Sequence, residues 1–103
     1  MYIWDIEILK LQIGKIIQLY RLRNELSQFQ LGNELNLSKD HIGRIERAET
    51  NPTIENIIKL CNFLKIDILN LFTKLTQKDL ENIQQEIEIL QQEFKNKNKR
   101  KKN

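Results

Sequence analysis

Apolar residues recur at helical spacing along almost the whole chain, and polar capping residues punctuate them. Ile13, Ile16, Ile17 and Tyr20, with Leu22 at the margin, predict a first helix from about Leu11 to Asn24. Ser27 is placed to accept from the free N–H groups of a second helix, whose apolar stripe is Phe29, Leu31 and Leu35. Gly32 falls inside that stripe, where glycine costs about 1 kcal/mol against alanine, so a close approach by another helix is expected there. Asn36-Leu37 ends the helix, because Asn tolerates the left-handed backbone of a tight turn. Ser38 then caps a third helix. Ile42 and Ile45 point inward on it, leaving Lys39, Asp40, His41, Gly43, Arg44 and Arg47 outside. Asn51-Pro52 closes this unit. Thr53 caps a fourth helix with Ile54, Ile57, Ile58, Cys61 and Leu64 as core candidates, and Glu55 and Asn56 in its first turn suit the helix dipole. Ile68, Leu69, Leu71 and Phe72 predict a short fifth helix closing the core.

Two flanking segments extend this body. Thr76 and Asp79 have the spacing of a capping box. After them Leu80, Ile83, Ile87, Leu90 and Phe94 recur at intervals of 3, 4, 3 and 4, which is a heptad seam. Its flanks are polar helix formers, and only Ile89 lies off the seam. Self-association through these five residues is the favoured reading, against packing of an amphipathic helix on its own domain. At the other end Tyr2, Trp4, Ile6 and Ile8 alternate as in a strand, while Ile6, Leu9 and Ile13 equally fit a helix running into the first. A strand would need a partner from a second copy. Under either reading Tyr2, Ile3 and Trp4 are expected to be buried. The expected organisation is an N-terminal extension over residues 1–10 that is a candidate dimer contact, a helical body over 11–75, an amphipathic helix over 76–94 and a disordered basic tail over 95–103.

Charge changes the picture mainly at the end of the chain. The net charge is +3, but residues 1–75 carry ten Lys/Arg against nine Asp/Glu, residues 76–94 one against five, and residues 95–103 six against none. That last block is either a solvated end or a source of phosphate contacts without sequence information. No apolar run is long enough to span a membrane, and Asp5 and Glu7 interrupt the start where a signal peptide would need apolar residues. A lone cysteine, Cys61, reads as a small core residue and fits a reducing cytoplasm. With one His, one Cys, no Gly-rich phosphate loop and no metal-ligand cluster, neither catalysis nor a cofactor nor a metal is expected.

Ser27-Gln28, Leu31-Gly32, Leu35, Leu37-Ser38, Ile42, Arg44-Ile45-Glu46 and Asn51-Pro52 stand in an order that resembles the lambda-repressor-like (Cro- and XRE-type) helix-turn-helix family. The likeness continues forward to Gly14-Lys15-Ile16-Ile17 and Leu22-Arg23, and back to Leu60, Leu64, Ile68 and Leu71-Phe72. Asn36 stands where the family usually has a turn glycine, and Ala48 where a glycine follows the Glu-Arg pair. The resemblance implies an all-α, five-helix DNA-binding domain, here with an additional C-terminal amphipathic helix. It implies double-stranded DNA as partner and a third helix lying in the major groove. It places Gln28 on a phosphate, Ser38, Lys39, Asp40 and Arg44 at the groove, and Arg47 and Asn51 near the flanking backbone. Arg44, whose fork matches the two acceptors of guanine, is the leading base reader. Glu46 is expected to brace the helix pair through an ion pair, with Arg23 as partner. A homodimeric repressor of a palindromic operator is the expected function. An antitoxin, or a restriction–modification controller whose C-terminal helix grips a partner protein, is the alternative.

Overall fold

The computed structural model describes residues 3–101, which form six helices and no strand. They are α1 (Ile6–Arg23), α2 (Gln28–Leu35), α3 (Lys39–Glu46), α4 (Ile54–Leu64), α5 (Ile68–Phe72) and α6 (Gln77–Lys101). The helix starts expected from side-chain chemistry are present. Ser27, Ser38 and Thr53 accept from Gln30, His41 and Asn56 N–H groups, and the Gln30 side chain returns to the Ser27 N–H to complete a capping box. Thr76 and Asp79 exchange the same pair of bonds at the head of α6, which holds the Asp79 carboxyl below its ordinary range.

Helix ends follow one device four times. Leu26, Leu37, Glu49 and Ile66 N–H groups each donate to the carbonyl five residues back, at Arg21, Gly32, Arg44 and Cys61. Each such bond needs a left-handed residue just before it. Glu25, Asn36, Ala48 and Lys65 supply it, with φ of 57°, 57°, 59° and 59°. None is glycine. The glycines instead serve packing: a Cβ on Gly14 would lie 2.6 Å from the Ile45 carbonyl oxygen, where α1 crosses α3. At Gly32 the close neighbour is the Leu37 carbonyl of the α2–α3 turn, so the expected approach comes from the turn and not from another helix.

The larger of two buried clusters is built on Ile13, Ile16, Ile17, Leu31, Ile42, Ile45, Ile57, Leu60, Cys61, Leu64, Ile66 and Leu71. Gln12 reaches into it and donates to the Leu71 and Thr73 carbonyls, tying the front of α1 to α5. Several expected core positions lie elsewhere. Ile54 (75% exposed) and Ile58 on α4, and Ile68, Leu69 (69%) and Phe72 on α5, face solvent, because α4 buries the stripe Ile57, Leu60, Cys61 and Leu64 and α5 buries only Leu71. Phe29 is also exposed, and Tyr20 is only half-buried.

The N-terminal ambiguity resolves to helix. Asp5 accepts from the Glu7 and Ile8 N–H groups and starts α1 five residues ahead of the expected Leu11, so the boundary placed after residue 10 falls inside a helix. Ile3 and Trp4 are exposed, contrary to expectation, since they only line the rim of an open apolar groove with Leu75 and Leu80; Tyr2 lies outside the described residues.

The C-terminal helix differs most. α6 lies along α1, and Ile87 is 1% exposed against Leu19 and Leu22, with Ile83, Leu90 and Phe94 packed around it. Leu80 is half-buried at the start of the same stripe. The seam proposed for self-association is thus covered within one chain. Arg23 clamps the pair of helices, donating two bonds to Glu86 at 2.7 and 2.8 Å while lying over the Tyr20 ring. Residues 95–101, expected to be disordered, continue α6, because the chain arrives there already helical and Lys97 pairs with Glu25. Propagation adds one backbone bond per residue without a new nucleation cost.

Candidate nucleic-acid interface

The α2–α3 pair is fixed from beneath by a buried polar cluster. Arg21 donates to both carboxylate oxygens of Glu46, at 2.6 and 3.0 Å, and to the Leu26 carbonyl at 2.7 Å. Gln28 Nε2 adds a third bond to Glu46 at 3.0 Å. Removing two charges from water costs several kcal/mol each, and this set offsets it only because the carboxylate and guanidinium are both multiply bonded. The cluster joins α1, the α1–α2 turn, the start of α2 and the end of α3. The brace expected of Glu46 is therefore present, but its partner is Arg21, not Arg23. A signal for this was available: Arg21 follows the buried Ile17 by four residues and so shares its face, whereas Arg23 points toward α6.

On this base α3 shows two faces. Ile42, Gly43, Ile45 and Glu46 are buried, while Lys39, Asp40, Arg44 and Arg47 are exposed. Asp40, Arg44 and Arg47 recur at intervals of four and three, forming one outward stripe. Ser38, Asp40, His41, Arg44 and Thr50 line a shallow depression beside it. Ser38 Oγ accepts from the His41 N–H at 3.0 Å, and its own hydroxyl proton remains available to donate. Arg47 pairs with Glu49 at 2.7 Å; that bond raises the guanidinium pKa and lowers that of the carboxyl. Lys39 and Arg44 make no ion pair among the described residues. Asn51 is exposed in the loop after α3. Gln28 is half-buried, and one of its two amide N–H groups is committed to Glu46, which leaves the second N–H and the adjoining N-terminus of α2 available as donors.

A short helix with a capped N-terminus, a rigid buried foundation and an outward stripe of basic and polar groups defines a helix-turn-helix unit. Comparison with known proteins agrees: the helix-turn-helix family model matches residues 17–71, and the chain belongs to that family in its lambda-repressor-like form. Its members are DNA-binding transcription regulators. The chain is similar to the HTH-type transcriptional regulator SlrR of Bacillus subtilis (strain 168), 39% identical over 61 residues, which cover 58% of this chain and 40% of the relative. It is also similar to the control protein C.SmaI of Serratia marcescens, 34% identical over 62 residues, 60% of this chain and 74% of the relative. The match thus spans less than half of SlrR. No solved structure matches the chain. Among the described residues no helix is long and apolar enough to cross a membrane, and no group of side chains has the makings of a metal site.

Proposed function

We propose that this protein is a sequence-specific regulator that represses transcription by occupying a palindromic operator as a homodimer. The observation that carries the reading is the outward stripe of α3, held rigid by the Arg21–Glu46–Gln28 cluster. In this role α3 enters the major groove. Arg44 reads guanine through its two acceptors, and Lys39 reads a base or holds a phosphate. Asp40 accepts from a cytosine amino group or orients Lys39 and Arg44. Ser38 meets the groove beside them, while Arg47, Asn51 and the Gln28 end of α2 meet the backbone and set the register.

One such helix reads only a few base pairs, so useful specificity requires a second copy with its α3 about 34 Å away. With Ile83, Ile87, Leu90 and Phe94 occupied by α1, the residues offered to a second copy are the exposed apolar side chains Ile54 and Ile58 of α4 and Leu69 and Phe72 of α5. A second reading, a controller protein, is supported by the likeness to control protein C.SmaI, most of whose length this chain covers. It uses the same interface with DNA and differs in the genes governed.

The test is selection of bound duplexes from a random library at near-physiological salt. An enriched palindrome is the expected result. Only unselective, salt-sensitive binding would overturn sequence reading. On the enriched site Arg44→Ala should cost about 1–3 kcal/mol of specific affinity while leaving random-DNA binding unchanged; equal losses on both would remove Arg44 from base readout.

A further inference from the structure

The placement of the last turns of α6 gives the basic end of the chain a definite location. α6 runs parallel to α1, as the order of their contacts shows. Lys15 meets Gln84, then Leu19 and Leu22 meet Ile87, and finally Glu25 meets Lys97. α1 stops at Arg23, but α6 continues through Lys101. At 1.5 Å per residue, the four residues after Lys97 carry it about 6 Å past Glu25. Glu25 belongs to the turn that delivers the chain to Ser27 and Gln28, the N-terminus of α2. The basic end therefore projects beside the end of α2 that the functional reading sets on a phosphate.

We infer that the C-terminal turns of α6 form a second, sequence-independent contact with the phosphate backbone of the same duplex, outside the base pairs read by α3. The inference rests on the DNA-reading function proposed above. Lys95 and Lys99 are one helical turn apart, both exposed, and neither pairs with a carboxylate among the described residues. Together with Gln92 and Asn98 they line one polar surface. Lys97 plays a different part. Its pairing with Glu25 neutralises a carboxylate in the turn that leads into α2. The same ion pair anchors the helix end, so the lysines are presented on a strut and not on a flexible tail. Holding cations in place lowers the ordering cost of each phosphate contact. The acidic middle of α6 faces a different use: Glu86 is spent on Arg23, well back from this end.

The experiment compares the full chain with its Lys95→Gln/Lys99→Gln double variant on two duplexes carrying the selected operator. One has long flanks, and the other is trimmed to the base pairs read by α3. Each lost phosphate contact should reduce the slope of log affinity against log salt by about 0.9. On long flanks the variant's slope should fall by about 2, so that wild type loses roughly tenfold more affinity than the variant between 50 and 200 mM salt. On the trimmed duplex the two proteins should have equal slopes, and both should select the same motif. Circular dichroism checks that the variant keeps α6. Equal slopes on long flanks, with selective binding intact, would overturn this inference and leave the DNA-reading function standing. An equal reduction on both duplexes would place the lysines on the half-site itself and also overturn it. Failure of wild type to bind either duplex selectively would remove the inference together with the reading beneath it.

Discussion

Glu46 accepts three hydrogen bonds from two residues on different elements, with its side chain and that of Arg21 almost fully buried. Truncating one member of such a pair strands the other charge, which typically costs about 3–5 kcal/mol. Glu46→Ala should therefore lower the denaturation midpoint sharply, and it should weaken DNA binding even though Glu46 faces away from solvent. The double change Arg21→Met/Glu46→Leu should recover much of the stability; a double variant as unstable as the single would mean that packing, not the stranded charge, sets the loss. Ala48 is a second informative residue. Its φ of 59° is unfavourable for an L side chain by about 1–2 kcal/mol, partly offset by the backbone entropy that glycine would lose. Ala48→Gly should accordingly stabilise the fold by about 0.5–1 kcal/mol in urea titration. No gain would indicate that the Ala48 methyl contributes packing of equal size. The sequence marked Ala48 and Asn36 as departures from glycine, and both hold the left-handed backbone. It did not mark Glu25 and Lys65, because neither residue type carries a turn preference.

At the scale of elements, α6 is the component whose role the structure changes. Ile87 is fully buried against α1, and removing such a side chain typically costs about 2–5 kcal/mol. Ile87→Ala should lower the stability of the whole chain by that order in chemical denaturation. A negligible effect would mean that α6 undocks freely and adds nothing to the cooperative fold. The Arg23–Glu86 bridge should make docking acid-sensitive. Its bonds to Arg23 hold the Glu86 carboxyl below the ordinary range. A depressed carboxyl contributes stability fully above its unfolded pKa of about 4.3, and the contribution disappears as pH falls through the lower folded value. The pair is partly solvent-exposed, so the effect is a fraction of a kcal/mol, screened by salt. It should be absent in Glu86→Gln when stability is followed from pH 6 to pH 3. The heptad spacing correctly predicted an apolar stripe needing a partner, but any helix face satisfies that requirement. Leu19 and Leu22 supplied it from the same chain.

The described residues span 56 × 31 × 23 Å. Apart from Phe29 and Ile89, the bare apolar side chains among them gather on α4 and α5 and, as a second set, around Trp4, Ile8 and Leu11 near Leu75 and Leu80. If the first set mediates dimerisation, Leu69→Lys should give a monomer in analytical ultracentrifugation, with helicity unchanged and operator affinity reduced. An intact dimer in that variant would move the interface to the N-terminal set. Cys61 should be slow to react with thiol reagents in the native state, since burial raises its pKa and excludes solvent.

What the sequence determined by itself was local: the caps at Ser27, Ser38, Thr53 and Thr76, the turn at Asn36, and the inward placing of Ile42 and Ile45 on α3, though Gly43, expected outside, is buried beside them. Each depends on hydrogen bonds or helical periodicity within a few residues, so neighbours in the chain are enough to specify it. The family likeness added the fold for the same reason, through an ordered set of such signals. Tertiary structure alone decided which apolar residues of α4 and α5 stay outside and what covers the α6 seam; the choice of Arg21 over Arg23 as the brace for Glu46 was legible in the helical spacing from Ile17 but was settled by the packing. Tertiary structure also decided that the basic end stays helical, with Lys97 paired to Glu25. These depend on contacts between residues tens of positions apart, where several partners of suitable chemistry compete and only the packed geometry selects among them.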